Sequence, residues 1–233
     1  MPGRRTGDPT DPDAAHLAGP QPTWRDLTFT AGVLQVIWQS PGTPWESIVD
    51  RLRETAGTNK IDDNVSLLKK LDLIDGGHQL TPSGVILAEG YSPPATAAGS
   101  AGVLLDEKDR LSDIEQTVFR TKLFEFDWLP MLAVLNQVLT ERVQPATGKN
   151  RASSFVDRLS HLADYHADWQ PDTKKQKART HFDWARDLGL IAINDEDRFE
   201  LTPRGEATND RLRHLHHPDW DQPSVQRSLD DVN

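Results

Sequence analysis

Residues 71–84, LDLIDGGHQLTPSG, decide the fold because a related stretch recurs in the other half of the chain. Residues 188–205, LGLIAINDEDRFELTPRG, have the same Leu-x-Leu-Ile start and the same Leu-Thr-Pro-x-Gly end. In both stretches, turn-forming residues lie between short apolar runs, a pattern that predicts a β-hairpin. The threonine and proline that follow supply a capping hydroxyl and a first-turn proline, so each hairpin is predicted to lead into a helix.

The residues before each hairpin predict three helices. The third helix has apolar residues at the same helical intervals in both copies, namely Ile61, Val65, Leu68 and Leu71, and Ala178, Phe182, Ala185 and Leu188. A Ser-x-Val-Asp-Arg-Leu sequence, at 47–52 and 154–159, also recurs upstream of it. The first two helices are predicted over 29–39 and 44–55 in one copy, and over 129–142 and 151–167 in the other.

The repeat divides the chain into six segments. These are a tail at 1–22, a first repeat at 23–90, a linker at 91–105, a connecting helix at 106–128, a second repeat at 129–213 and a tail at 214–233. Both tails lack periodicity and are rich in residues that do not build a core, so we expect them to be disordered. The connecting helix either packs the repeats together or forms a homodimer, because an apolar stripe alone does not distinguish the two roles.

The composition excludes several classes of protein. The chain has a net charge of −10 and no cysteine. It therefore has no disulfide framework and no thiolate metal site, and it does not coat nucleic acid through bulk charge. No apolar run is long enough for a membrane span, and the first residues lack the apolar core of a secretion signal. We expect a cytoplasmic protein without a membrane partner, nucleoid-associated if it binds DNA.

The order of three helices, a hairpin and a further helix resembles the winged-helix variant of the helix-turn-helix. The resemblance covers most of 23–90 and 129–212. It implies a mainly α fold with small β-hairpin wings, in which two winged-helix modules are joined by a linker and a connecting helix. It also implies that the third helix of a module enters the major groove of DNA, while the wing touches an adjacent groove or the backbone.

The third helices of the two repeats differ in charge. Four cations occur within residues 174–179, at the amino end of the helix, where the helix dipole and backbone amides also favour a phosphate. The first repeat has Asp62 and Asp63 on the corresponding surface, so a protein contact is as well supported there as a DNA contact. The DNA-binding candidates are Lys174, Lys175, Gln176, Lys177, Arg179, Thr180, His181 and Arg186, with Asn59 and Lys60 in the first repeat.

Gln176, Thr180 and His181 are the candidates for contacts to base edges. The alternative for the whole set is a solvated helix face, since lysine runs on exposed helices are common. Three acids at the second wing tip, 195–197, would repel a phosphate, whereas the nearby Arg198 and Arg204 offset them.

No motif of a known enzyme class occurs, so we expect a non-enzymatic protein without cofactor or metal. The sequence predicts a protein that binds double-stranded DNA, as a transcriptional regulator or as the recognition subunit of a larger restriction or defence system. The alternative is a protein-interaction subunit of a condensin-like or other multi-protein DNA-processing complex. That alternative rests on a weaker resemblance to kleisin-interacting tandem winged-helix subunits, and it assigns the protein partner to the first module.

Overall fold

The computed structural model describes residues 26–56, 58–91, 110–126, 128–145, 154–159 and 170–216. The tail predicted at 1–22 and nearly all of the predicted linker lie outside these ranges. None of the helices in the described ranges combines the length and the apolar character that crossing a membrane requires.

The described part of the chain is mainly helical, with one small antiparallel sheet, as the sequence predicted. In chain order the elements are α1 (Leu27–Trp38), α2 (Trp45–Ala56), α3 (Thr58–Lys70), α4 (Pro82–Glu89), α5 (Asp113–Phe126), α6 (Trp128–Thr140), a helical segment α7 at 154–159, α8 (Pro171–Asp187), β1 (Ile191–Ile193), β2 (Phe199–Leu201) and α9 (Pro203–His216). Two predicted boundaries were wrong. Helix α9 continues to His216, past the predicted start of the tail at 214, and α5 begins at Asp113 within the helix predicted over 106–128.

The Thr-Pro-x-Gly motif makes the same contacts in both repeats. The hydroxyl of Thr81 accepts a hydrogen bond from the amide of Gly84 at 3.1 Å, and that of Thr202 accepts one from the amide of Gly205 at 3.0 Å. Each threonine also donates to a backbone carbonyl 2.7 Å away, in the turn that ends the preceding helix. One hydroxyl thus caps the last helix of each repeat and fastens it to the end of the third helix.

The glycine of this motif is required by a close backbone approach. A Cβ on Gly84 would lie 2.0 Å from the carbonyl oxygen of Leu73, and a Cβ on Gly205 would lie 1.9 Å from that of Leu190. Both distances are far shorter than any van der Waals contact. The last helix of each repeat therefore rests on the backbone that enters the hairpin, a contact that only glycine permits.

The two hairpins differ in length. In the second repeat, β1 and β2 pair antiparallel with Ile191 opposite Leu201. In the first repeat, a single bridge joins Ile74 to Leu80, so the predicted hairpin is reduced to its tip there. The tips themselves are alike, since an oxygen of the Asp75 side chain accepts from the amide of Gln79 at 2.9 Å. In the second repeat, the side-chain oxygen of Asn194 accepts a hydrogen bond from the amide of Arg198 at 3.0 Å.

The first helix of each repeat lies at its centre. Helix α1 packs against α3 and α4, and α6 packs against α8 and α9. Nine residues of α1 are buried, and α6 is buried without a break from Trp128 to Val138. Because both helices are apolar on nearly every side, neither is stable unless other helices surround it. Beyond the sheet, the amide of Phe199 donates to the carbonyl of Val143 at 2.8 Å, which adds the segment after α6 to the β2 edge.

Helix α5 connects the repeats. It packs against α4 of the first repeat and α6 of the second, and Phe119 and Leu123 are fully buried. Ser112 and Glu115 form a reciprocal cap at its start, with bonds of 2.7 and 3.2 Å between each side chain and the other residue's amide. Helices α1 and α8 are also in contact, so the two repeats share a second junction away from α5.

Candidate nucleic-acid interface

Helix α8 carries most of the candidate site, and its orientation is fixed by a broad buried face. The buried residues are Lys177, Ala178, His181, Phe182, Trp184 and Ala185. The helix begins at Pro171, and its N-cap residue Gln170 makes no side-chain capping bond. The amides of the first turn thus lack the hydroxyl or carboxylate cap that α1 and α4 have.

Two of the candidate DNA-contacting residues, Lys177 and His181, are not on the helix surface as predicted, because each has only 4% of its surface exposed. The Nδ1 of His181 donates to the carbonyl of Lys177 at 2.8 Å, and the His181 ring stacks on Phe155 of α7, with 5.5 Å between ring centres. The rings of His181 and Trp184 pack edge to face, with 5.2 Å between ring centres. Both side chains thus belong to the buried face of α8, where the His181 ring packs against the core.

The solvent-facing side of α8 retains the other cations. Lys175, Gln176, Arg179 and Arg186 are exposed, whereas Lys174 and Thr180 are half-buried. Asn59 and Lys60 belong to α3, but their side chains lie outside the described residues. The neighbouring Asn64 is buried and hydrogen-bonded to Thr30 of α1.

Acids alternate with the cations on this face. Lys175 lies 3.1 Å from Asp172, Arg179 lies 3.6 Å from Asp183, and Arg186 lies 3.9 Å from Asp183. All of these pairs are on the surface, where an ion pair contributes about 0–1 kcal/mol. A phosphate can therefore replace a carboxylate at small cost, but the face is far less positive than the count of lysines and arginines predicts.

Ion pairing at the second hairpin leaves its tip acidic. Arg198 pairs with Glu196 at 2.8 Å across the tip. Arg204, the other cation predicted to offset the acidic tip, instead donates to the side-chain oxygen of Gln116 on α5 at 2.6 Å. It thus points toward the connecting helix, so the second hairpin tip keeps a net negative charge.

A cleft of about 790 Å³ lies beside α3 and the tip of the first hairpin. One wall is a stack of Trp45 on His78, with 3.7 Å between ring centres, and the Nζ of Lys69 lies 2.7 Å from the Nε2 of His78. Burial and the Lys69 charge lower the pKa of His78, so its neutral ring accepts a hydrogen bond from the Nζ of Lys69. Three aspartates, Asp62, Asp72 and Asp75, also line this cleft, and their carboxylates repel a phosphate.

Sequence reasoning missed two features. Burial and the charge of nearby Asp26 raise the pKa of Asp187 to about 7, where the end of α8 meets the start of α1. Arg120, Arg204 and Arg211 line one cleft between α5 and α9. The spacing of Arg204 and Arg211, two helical turns apart, was a signal for a shared helix face, but nothing in the sequence indicated that Arg120 lies opposite.

Comparisons with protein-family models, with curated proteins and with solved structures found no match to the chain.

Proposed function

We propose that the protein is a tandem winged-helix protein that binds double-stranded DNA through the solvent-facing side of α8. The repeated order of helices, the shared Thr-Pro-x-Gly contacts and the Phe199–Val143 bond beside the second hairpin support the winged-helix interpretation. In this interpretation α8 is the recognition helix and β1–β2 is the wing. The protein acts as a regulator or as the recognition subunit of a larger assembly.

The observation that carries the proposal is the set of side chains on the exposed first half of α8. Lys175, Gln176 and Arg179 share one face of the helix, with Lys174 half-exposed beside them. Lysine and arginine neutralise phosphates, and a glutamine amide hydrogen-bonds an adenine edge in the major groove. The uncapped first turn adds backbone amides that favour an anion.

A salt titration tests the proposal. Binding of a fluorescent DNA duplex is measured by anisotropy between about 50 and 200 mM salt, for the wild type and for Lys175→Gln/Arg179→Gln. Each lost phosphate contact reduces the log–log salt slope by about 0.9, so we expect the double variant to lose about 1.8 units of slope. Arg110→Gln/Arg142→Gln is the matched control, because it removes the same charge from exposed positions outside α8.

The comparison with this control decides the outcome. Equal losses in the two double variants mean that bulk charge, not α8, governs binding, and the proposal then fails. It also fails if the wild type does not bind duplex DNA at the lowest salt concentration.

A second candidate is the protein-interaction subunit, and the cleft beside α3 favours it. Its stacked aromatic wall and its mixture of lysines and aspartates are suited to a partner segment that combines an apolar side chain with charged ones. The charge reversals Asp62→Lys and Asp75→Lys are expected to release a partner that co-purifies with the wild type. The Lys175→Gln/Arg179→Gln variant must keep that partner, because its substitutions lie in the other repeat.

A further inference from the structure

The cleft between α5 and α9 has a volume of about 550 Å³, and three arginines line it. Arg120 comes from α5, whereas Arg204 and Arg211 come from α9. Phe124 and Leu212 add apolar surface to the lining, and Thr208 adds a hydroxyl. The cleft is thus formed by the connecting helix and the last helix together.

The charge of this cleft is not balanced. Among the residues that the structure describes, none of those lining the cleft is acidic, and no carboxylate forms an ion pair with any of the three arginines. Burial and the charge of Arg204 lower the pKa of Arg120, which means that the charged guanidinium is disfavoured there. Although the chain has a net charge of −10, none of its described acids lines this cleft, so the group of three cations costs stability that a bound anion recovers.

The cleft beside α3 in the first repeat differs from this one in its charged residues. There, Lys69 and Lys70 share the walls with Asp62, Asp72 and Asp75, so the cations have acids beside them. In the α5–α9 cleft, the charged residues of the described lining are all cations. Its polar groups are hydrogen-bond donors, and arginine presents them in a planar fork that fits phosphate and carboxylate oxygens.

We propose that the α5–α9 cleft binds a small phosphorylated organic molecule, with its phosphate among Arg120, Arg204 and Arg211 and its organic part against Phe124 and Leu212. Three cations match the charge of a phosphate monoester better than that of a single carboxylate. The volume is within the range of small-molecule sites and exceeds what a bare phosphate fills. This inference does not depend on DNA binding by α8.

The test uses phenyl phosphate as the probe, titrated by calorimetry into the full chain, with inorganic phosphate and phenol as comparison ligands. We expect phenyl phosphate to bind more tightly than inorganic phosphate, and phenol not to bind. Arg120→Gln/Arg211→Gln is expected to weaken phenyl phosphate binding by roughly tenfold or more, because charge-assisted hydrogen bonds are lost. Arg53→Gln/Arg142→Gln removes the same charge elsewhere and should leave binding unchanged.

Thermal unfolding supplies a second readout that a purely structural role does not produce. Without ligand, the arginine variant should unfold at the same temperature as the wild type or higher, because the repulsion is relieved. Saturating phenyl phosphate should raise the wild-type Tm by at least about 2 °C and leave that of the variant unchanged. If the double variant does not fold, the single variant Arg211→Gln replaces it in both measurements, because Arg211 is exposed and its substitution should not disturb the fold.

Three results would overturn the proposal: no phenyl phosphate binding by the wild type, equal binding by the arginine variant, or equal affinity for inorganic phosphate. A titration with duplex DNA tests whether these arginines bind the phosphates of nucleic acid rather than those of a small molecule. If the arginine variant loses DNA binding while the wild type binds no phenyl phosphate, the arginines serve nucleic acid instead. Failure of the α8 variant to affect DNA binding bears only on the function proposed above.

Discussion

Gly84 and Gly205 lie where a helix touches a backbone carbonyl too closely for any side chain. In an exposed helix, replacing glycine by alanine usually raises the free energy of unfolding by up to about 1 kcal/mol. Here we expect the opposite sign, with Gly84→Ala and Gly205→Ala each lowering the free energy of unfolding by roughly 2 kcal/mol or more. Denaturant unfolding measures the effect.

Gly76→Ala is the control for these glycines, because a Cβ at Gly76 meets no atom within 4 Å. It should change the free energy of unfolding by no more than about 0.5 kcal/mol. Equal effects at Gly76 and Gly84 would contradict the close approach of the last helix to the hairpin.

Asp187 makes the stability depend on pH. Its carboxylate is largely buried, accepts the amide of Leu27 and lies near Asp26, which leaves its pKa at about 7. An unfolded aspartate titrates near pH 4, so the folded state holds more protons between about pH 4 and 7. Stability therefore falls as the pH rises through this window.

Replacing Asp187 by Asn removes the charge and keeps an acceptor for the Leu27 amide. We expect Asp187→Asn to raise the Tm relative to the wild type at pH 8 and to have a much smaller effect at pH 4. Asp210→Asn, an exposed position on α9, is the control and should show no such pH dependence. A constant difference between Asp187→Asn and wild type across the window contradicts the raised pKa.

At the scale of an element, α8 shows how much of a site follows from periodicity. The stripe of Ala178, Phe182 and Ala185 was predicted correctly and is buried. The sequence did not predict how wide the buried face is, because the width depends on which residues pack against the helix. Phe155 from α7 and the neighbouring Trp184 extend the buried face to His181, and Lys177 lies one turn before it.

The acids on α8 lead to an element-scale prediction. Asp172 pairs with Lys175 and would repel a phosphate at the same place. If α8 binds DNA, Asp172→Asn should tighten duplex binding by a few fold, measured by anisotropy at low salt. The matched control is Asp113→Asn, an exposed acid in the first turn of α5, which should leave the affinity unchanged beyond a bulk-charge effect.

At the scale of the whole molecule, α5 couples the repeats because it packs against both of them. We expect one cooperative unfolding transition by calorimetry. Phe119→Ala should lower the free energy of unfolding by about 3–5 kcal/mol, because Phe119 is fully buried at this junction.

Ile114→Ala on the same helix is the control, since 51% of Ile114 is exposed, and it should cost less than about 1 kcal/mol. Two separate transitions in the wild type would show that the repeats unfold independently despite these contacts.

The sequence by itself determined the repeat, the mainly helical class and the helix starts at Thr81 and Thr202, because these depend on local periodicity, capping and proline geometry. Only the tertiary structure decided which polar residues remain at the surface. Lys177 and His181 are buried, with Phe155 of α7 stacked on the His181 ring, and Arg120 shares a cleft with Arg204 and Arg211 because α5 and α9 both line it. Such contacts join residues far apart in the chain, and neither periodicity nor composition encodes them.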